Sequence, residues 1–298
     1  MLYGTREFKR DLYKSINDVC STKEIIILYA GTVGSISRGI TTYESDYDVK
    51  CLYINGVSTN LIDYHNETDI RYRLFNKDKA YDCIAFWEIR AFINFLSEPY
   101  IDRGNSYELF HNVLWLFKTP YSWDPLGIQK LLGHDIDRCV NLNNEIVYHF
   151  RIIKDTVNET RTTKNLLRLL HAVLSINWIE GKNTLPPINI YSLISSQESK
   201  ANFETCLKLL DIVNYANRNK TSIEMTDSSV MFINDYVEKE FNRMIDKGYN
   251  DKNYSFESIY DNKNNVEIIL RKLKHIMGNC PQLSSEPYLS FEDLCKLY

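Results

Sequence analysis

The feature that most constrains this chain is a glycine-dense bend between two apolar, strand-like runs. Glu24-Ile25-Ile26-Ile27-Leu28-Tyr29-Ala30 is short, β-branched and bounded by Gly31, which is the pattern of a buried strand. From Gly31 to Gly39 the chain spends three of the eleven glycines it has in 298 residues. Such density in a glycine-poor sequence marks backbone that needs unusual dihedrals or a close approach. Tyr47 to Ile54 then reads as a second strand.

Asp46-Tyr47-Asp48 enters that second strand, separated from Gly34-Ser35 by ten intervening residues. Side chains alternate along a strand, so Asp46 and Asp48 share one face with Lys50, while Tyr47 and Val49 take the other. Two carboxylates side by side repel, and one tends to take up a proton. A divalent cation between them removes that cost. Mg²⁺, or Mn²⁺ in its place, suits a site of few carboxylates completed by phosphate oxygens. Gly34-Ser35 follows a strand and is placed to open a helix, where backbone N–H groups and the Ser35 hydroxyl can grip triphosphate oxygens. Arg38 or Lys50 would add positive charge. Alone, an Asp-x-Asp pair is common on solvent-facing strands and a Gly-Ser is commoner still. The information lies in their conjunction between two apolar strands.

The rest of the chain gives a coarse architecture. Phe8, Leu12, Ile16 and Val19 lie at helical spacing within an amphipathic first helix, residues 5–20. Tyr81 to Trp87 reads as another strand, leading into a helix with Ile89, Phe92, Phe95 and Leu96 on one face. Residues 55–80 are irregular, with room for a strand around Arg71 to Phe75. Beyond about residue 120 helical periodicity dominates: helices are expected over 165–179, 203–215, 231–245 and 266–277. Pro120, Pro125 and Gly127 mark a linker. The expected fold is α+β, a small mixed-sheet domain over residues 1–120 and a helical, substrate- or nucleotide-binding domain over 121–298.

Composition narrows the function classes. With 44% hydrophobic and 25% charged residues the chain reads as a soluble globular protein. Its formal net charge of −4 supplies no general field toward nucleic acid or anionic membrane, so any RNA contact must come from a local patch. The N-terminus lacks an apolar signal segment, and no run is long enough to span a bilayer. Seven widely spaced cysteines form no C-x-x-C and no zinc spacing with the six histidines. They read as reduced thiols in a cytoplasmic protein.

Gly34-Ser35-Ile36-Ser37-Arg38-Gly39 with Ser45-Asp46-Tyr47-Asp48-Val49-Lys50 resembles the DNA polymerase β superfamily signature, and more closely the RlaP-like nucleotidyltransferases of RNA repair. Those proteins tend to have a small residue where Arg38 stands and an arginine where Lys50 stands. Asp82 through Phe92 is similar to that family's third-carboxylate strand and following helix, Asn105 through Leu109 to its Asn-Pro-x-x-x-Glu-Leu turn without the proline, and Lys164 through His171, with Gly181 and Pro186, to its C-terminal helix. The likeness spans about the first two-thirds of the chain. It implies transfer of a nucleoside monophosphate from an NTP to RNA or tRNA. Asp46, Asp48 and Asp82 would be the catalytic, metal-holding carboxylates, and Gly34, Ser35, Arg38, Lys50, Lys164 and Arg168 would bind the nucleotide.

Arg161, Lys164, Arg168 and His171, spaced by three, four and three, are expected to form one basic stripe on a helix whose other side is apolar. Two rival functions stay open. One keeps the chemistry but modifies a protein or small molecule. The other is non-catalytic RNA binding by a decayed site, which the retention of Ser35, Asp46, Asp48 and Asp82 disfavours.

Overall fold

The β-branched runs pair into one sheet. A computed structural model describes residues 6–23, 25–41, 45, 47–55, 70–76, 79–97, 114–119, 122–124, 126–157, 162–196, 203–218, 227–249 and 263–278. Among the described residues five strands, β1 (Ile25–Val33), β2 (Asp48–Asn55), β3 (Ile70–Asn76), β4 (Lys79–Glu88) and β5 (Ser122–Trp123), run in the order β3-β4-β2-β1-β5. β1 is antiparallel to β2 and β5, β4 is antiparallel to β3, and β2 and β4 are parallel. β1 is buried along almost its whole length, as expected for an inner strand covered on both faces.

The helices are α1 (Arg6–Lys23), the short α2 (Gly34–Arg38), α3 (Ile89–Ser97), α4 (Ile128–Arg138), α5 (Leu142–Thr156), α6 (Thr163–Lys182), α7 (Ile190–Ser195), α8 (Phe203–Arg218), α9 (Asp227–Asp246) and α10 (Lys263–Gly278). The fold is α+β, a mixed sheet with helices followed by a largely helical region. Among the described residues no helix is long and apolar enough to cross a membrane.

The chain divides into two units, neither of them a single run of sequence. One comprises Met1–Gly34, Asp46–Cys139 and Asp261–Tyr298; the other comprises Ser35–Ser45 and Val140–Tyr260. In the sheet unit, Leu28, Ala30, Cys51, Leu52, Ile84, Phe86, Ile89, Phe92 and Leu96 are buried. Tyr29 stacks on Phe117 with ring centroids 5.0 Å apart and donates its hydroxyl to the Leu116 carbonyl at 3.0 Å. α10 packs on α4 and α3, so the last described helix completes the sheet unit.

Within the stretch expected as a linker, the described residues are structured. Trp123 pairs with Ala30 and Ser122 with Gly31. The Asp124 carboxylate then accepts from the N–H groups of Ile128 at 2.6 Å and Gln129 at 2.8 Å, satisfying free donors at the start of α4. A two-residue strand is too short to show a period, which is why only its turn residues register in the sequence.

In the helical unit α6 is the central element. Leu166, Leu167, Leu169, Leu170, Val173, Leu174 and Ile176 are all buried in the core shared with α5, α7, α8 and α9. An apolar surface reaching around most of a helix is the mark of a central one. Its start is capped by the Thr162 hydroxyl, which accepts from the Asn165 N–H at 3.2 Å, and its end by Asn183 in the left-handed region. Ile40, from the segment after α2, is part of the same core.

Candidate functional site

The register of β1 against β2 sets the first part of the site. Val33 faces Asp48, Thr32 faces Val49 and Gly31 faces Lys50. Asp48 therefore opens β2 beside the residue that closes β1. The chain leaves β1 directly into Gly34, whose φ of +74° lies in the left-handed region, where an L side chain costs about 1–2 kcal/mol. A Cβ on Gly34 would also stand 3.1 Å from Asp48 Oδ2, tighter than ordinary van der Waals contact. Glycine thus serves twice here: it permits the turn, and it lets a half-buried carboxylate lie against the turn's backbone.

Alternation puts Lys50 on the Asp48 face of β2. Its Nζ lies 4.2 Å from the centroid of the Trp87 ring on parallel β4, a cation–π contact that steers the ammonium along this face. Behind it, a Cβ on Gly31 would come within 2.8 Å of Thr119 Cγ2 and 3.1 Å of Leu116 Cδ1. That glycine answers a packing demand rather than a ligand.

Ser35 and Arg38 sit half-buried on α2. The turn closes on itself: the Gly39 N–H donates to Ile36 O and the Ile40 N–H to Ser35 O, both at 3.0 Å, with Gly39 at φ +70°. This is a Schellman closure with glycine at its required left-handed position. It fixes the carbonyl side of the Gly-Ser turn within a single helical turn.

Asp46 lies outside the described residues. Asp82 is in β4, opposite Leu74 of β3 and two residues before Ile84, the register partner of Val49; its side chain lies outside the described set. Glu88, a second acid on the same strand, ends β4 opposite Tyr53 and is buried. Among the described residues no three of His, Cys, Asp and Glu cluster as metal ligands. Of the three expected carboxylates, Asp48 is the one whose side chain that set contains. Arg161, Glu108 and the Asn105–Leu109 stretch also fall outside it.

Lys164 and Arg168 are exposed one turn apart on α6, but the stripe stops there. His171 is not its next member. It is 3% exposed, with Nε2 2.8 Å from Ile188 O, and the Ser175 hydroxyl donates to its backbone carbonyl at 2.8 Å. The correction is geometric. Three residues advance a helix by less than a full turn, and α6 has too narrow an exposed face to hold both Arg168 and His171. His171 instead belongs to a buried polar group with His149, ring centroids 6.3 Å apart, and with Glu145, whose Oε2 is 3.8 Å from His149 Nε2.

Cys20, Cys51, Cys139 and Cys206 are buried and unbridged. Burial pushes the Cys20 thiol up to about 11 and the Cys139 thiol up to about 12, and holds Cys51 well above its ordinary value. A thiol that stays protonated is neither nucleophile nor metal ligand.

No curated protein matches the chain. The likenesses read in the sequence at Asn105–Leu109 and at Lys164–His171 lie beyond the stretch that a family model matches. Over residues 8–101, which carry the Gly-Ser turn and the paired aspartates, the chain matches RlaP, the RNA repair pathway DNA polymerase β family.

Proposed function

We propose that this protein is a Mg²⁺-dependent nucleotidyltransferase that moves a nucleoside monophosphate from an NTP to a hydroxyl of RNA, with tRNA as a fitting acceptor. The observation that carries the reading is the close approach of the Asp48 carboxylate to the Gly34 turn, 3.1 Å from where a Cβ would stand. A carboxylate set against half-buried turn backbone makes a place where a cation and a phosphate can be bound together. The family match over residues 8–101 supports the same chemistry.

The residues divide the work as follows. Asp46 and Asp48 would hold Mg²⁺, or Mn²⁺, and Asp82 would complete the carboxylate set. The bound cation would supply charge neutralisation at the reacting phosphate. Gly34 and Ser35 receive triphosphate oxygens through backbone N–H and hydroxyl donors. Arg38 and Lys50 balance their charge, and Lys164 and Arg168 offer exposed cations to the nucleotide or the RNA. The acceptor oxygen forms a bond to the α-phosphorus, the bond from that phosphorus to the bridging oxygen breaks, and pyrophosphate leaves. Asp82 takes the hydroxyl proton. The unbridged cysteines among the described residues are in keeping with a cytoplasmic setting.

The test uses α-labelled NTPs with total RNA and lysate protein. Label in RNA is the expected result. Label confined to protein or a small molecule would move the acceptor to that class, and no label in any fraction would contradict the transfer chemistry.

A further inference from the structure

We infer that Asn217 is a positioning residue: its side-chain amide fastens the exit of the Ser35 turn and so sets how tightly that turn holds a nucleoside triphosphate, an inference that rests on the nucleotidyl-transfer reading above. Asn217 lies near the end of α8, 178 residues from the turn in sequence. Its Nδ2 donates to the Gly39 carbonyl at 2.7 Å and to the Tyr191 hydroxyl at 2.8 Å, while its Oδ1 accepts from the Thr41 hydroxyl at 3.3 Å. The Tyr191 hydroxyl passes its own proton on to Asn214 Oδ1 at 3.1 Å.

These bonds determine one another. The Gly39 carbonyl requires a donor, so the amide nitrogen must face it. The Thr41 and Tyr191 hydroxyls then have one consistent orientation each. No other side chain of similar size offers two donors and an acceptor in this arrangement. Aspartate would set a second acceptor against the Gly39 carbonyl.

The surroundings show why the exit of the turn needs a clamp. Gly39 is held at φ +70°, and a Cβ there would lie 3.1 Å from Asn189 Nδ2 and 3.3 Å from the Tyr191 ring. Its backbone lies directly on the start of α7. The next residue, Ile40, is buried in the helical core. The Schellman bonds close the turn, Ile40 anchors it, and the Asn217 bond to Gly39 joins the two. Loss of that bond frees the carbonyl between Ser35 and its anchor, which loosens the donors that would meet a phosphate.

The experiment uses the full chain, with Asn217→Ala, Asn217→Asp and the milder Tyr191→Phe. Amide hydrogen exchange at Gly39 and Ile40 is followed beside equilibrium binding of the Mg²⁺ complexes of ATP, GTP, CTP and UTP. Asn141→Ala, which removes the cap of α5 in the same unit, controls for a general loss of stability. Asn217→Ala is expected to speed exchange at Ile40 and to weaken NTP binding about tenfold, with a larger loss for Asn217→Asp. Tyr191→Phe should give a smaller change of the same sign, while Asn141→Ala lowers the melting temperature and leaves affinity unchanged. Unchanged exchange at Ile40, or faster exchange with unchanged NTP affinity, overturns the inference while the nucleotidyl-transfer reading stands. A wild-type protein that binds none of the four NTPs overturns that reading and the nucleotide role of Asn217 together.

Discussion

Gly34 is the residue at which sequence, backbone and site meet. Its left-handed φ strains any L side chain, and the nearby Asp48 carboxylate would have to give way to one. Gly34→Ala is expected to cost about 1–2 kcal/mol in a thermal or denaturant melt and to weaken NTP binding more than that loss explains, because the carboxylate must move away from the turn. Wild-type affinity in this variant would mean that the approach is incidental. For the proposed third carboxylate, Asp82→Asn should leave NTP binding nearly intact, since Asp46 and Asp48 would still hold the nucleotide's cation, and lower single-turnover transfer by about 10²–10⁴. Glu88→Gln is its comparator: Glu88 is buried at the end of β4, so that change should act on stability. Normal transfer in the Asp82 variant, with collapse in the Glu88 variant, would move the role to Glu88. The shared face of Asp48 and Lys50 was legible in the sequence because strand alternation is a local rule. The need for an unusual dihedral or a close approach at Gly34 was legible in the glycine density; which group approaches was not, because that carboxylate lies fourteen residues away.

Among the elements, α6 separates a usable basic pair from a buried histidine. Lys164 and Arg168 are exposed, whereas His171 is packed and bonded to Ile188 O. Lys164→Ala with Arg168→Ala is expected to leave stability within about 0.5 kcal/mol while reducing affinity for NTP or RNA. His171→Ala should do the reverse, costing about 1–3 kcal/mol by leaving buried polar groups without partners. Calorimetry beside equilibrium binding distinguishes the two; unchanged affinity in the double variant would leave the pair as solvated surface. Periodicity located α6, β2 and β4 to within a few residues, because long amphipathic or apolar runs declare themselves. It missed β5, whose two residues are strand only because Ala30 and Gly31 lie beside them. It also placed His171 on the wrong face, since a residue spacing alone does not say how wide an exposed face a central helix keeps.

At the scale of the molecule, the two units are interleaved in sequence, and helical periodicity could not reveal to which unit each helix belongs. α10 is the clearest example. Val266, Ile269 and Leu273 are buried, and Lys272 bonds Asp135 of α4. At about 1.5–3 kcal/mol for each buried side chain, those three contribute an amount comparable to a whole domain's stability of about 5–15 kcal/mol. A chain ending at residue 262 is therefore expected to melt far below the full chain or to fail to fold, as circular dichroism would show; an unchanged melt would mean that the sheet unit is complete without α10. A carboxylate-held cation for nucleotidyl transfer, as proposed, is tested by comparing the wild type with Asp46→Asn/Asp48→Asn for Mg²⁺-dependent NTP binding and transfer of labelled nucleotide. The double variant is expected to melt as the wild type does, to bind no NTP in a Mg²⁺-dependent way and to transfer nothing. Unchanged turnover in that variant would contradict the proposal.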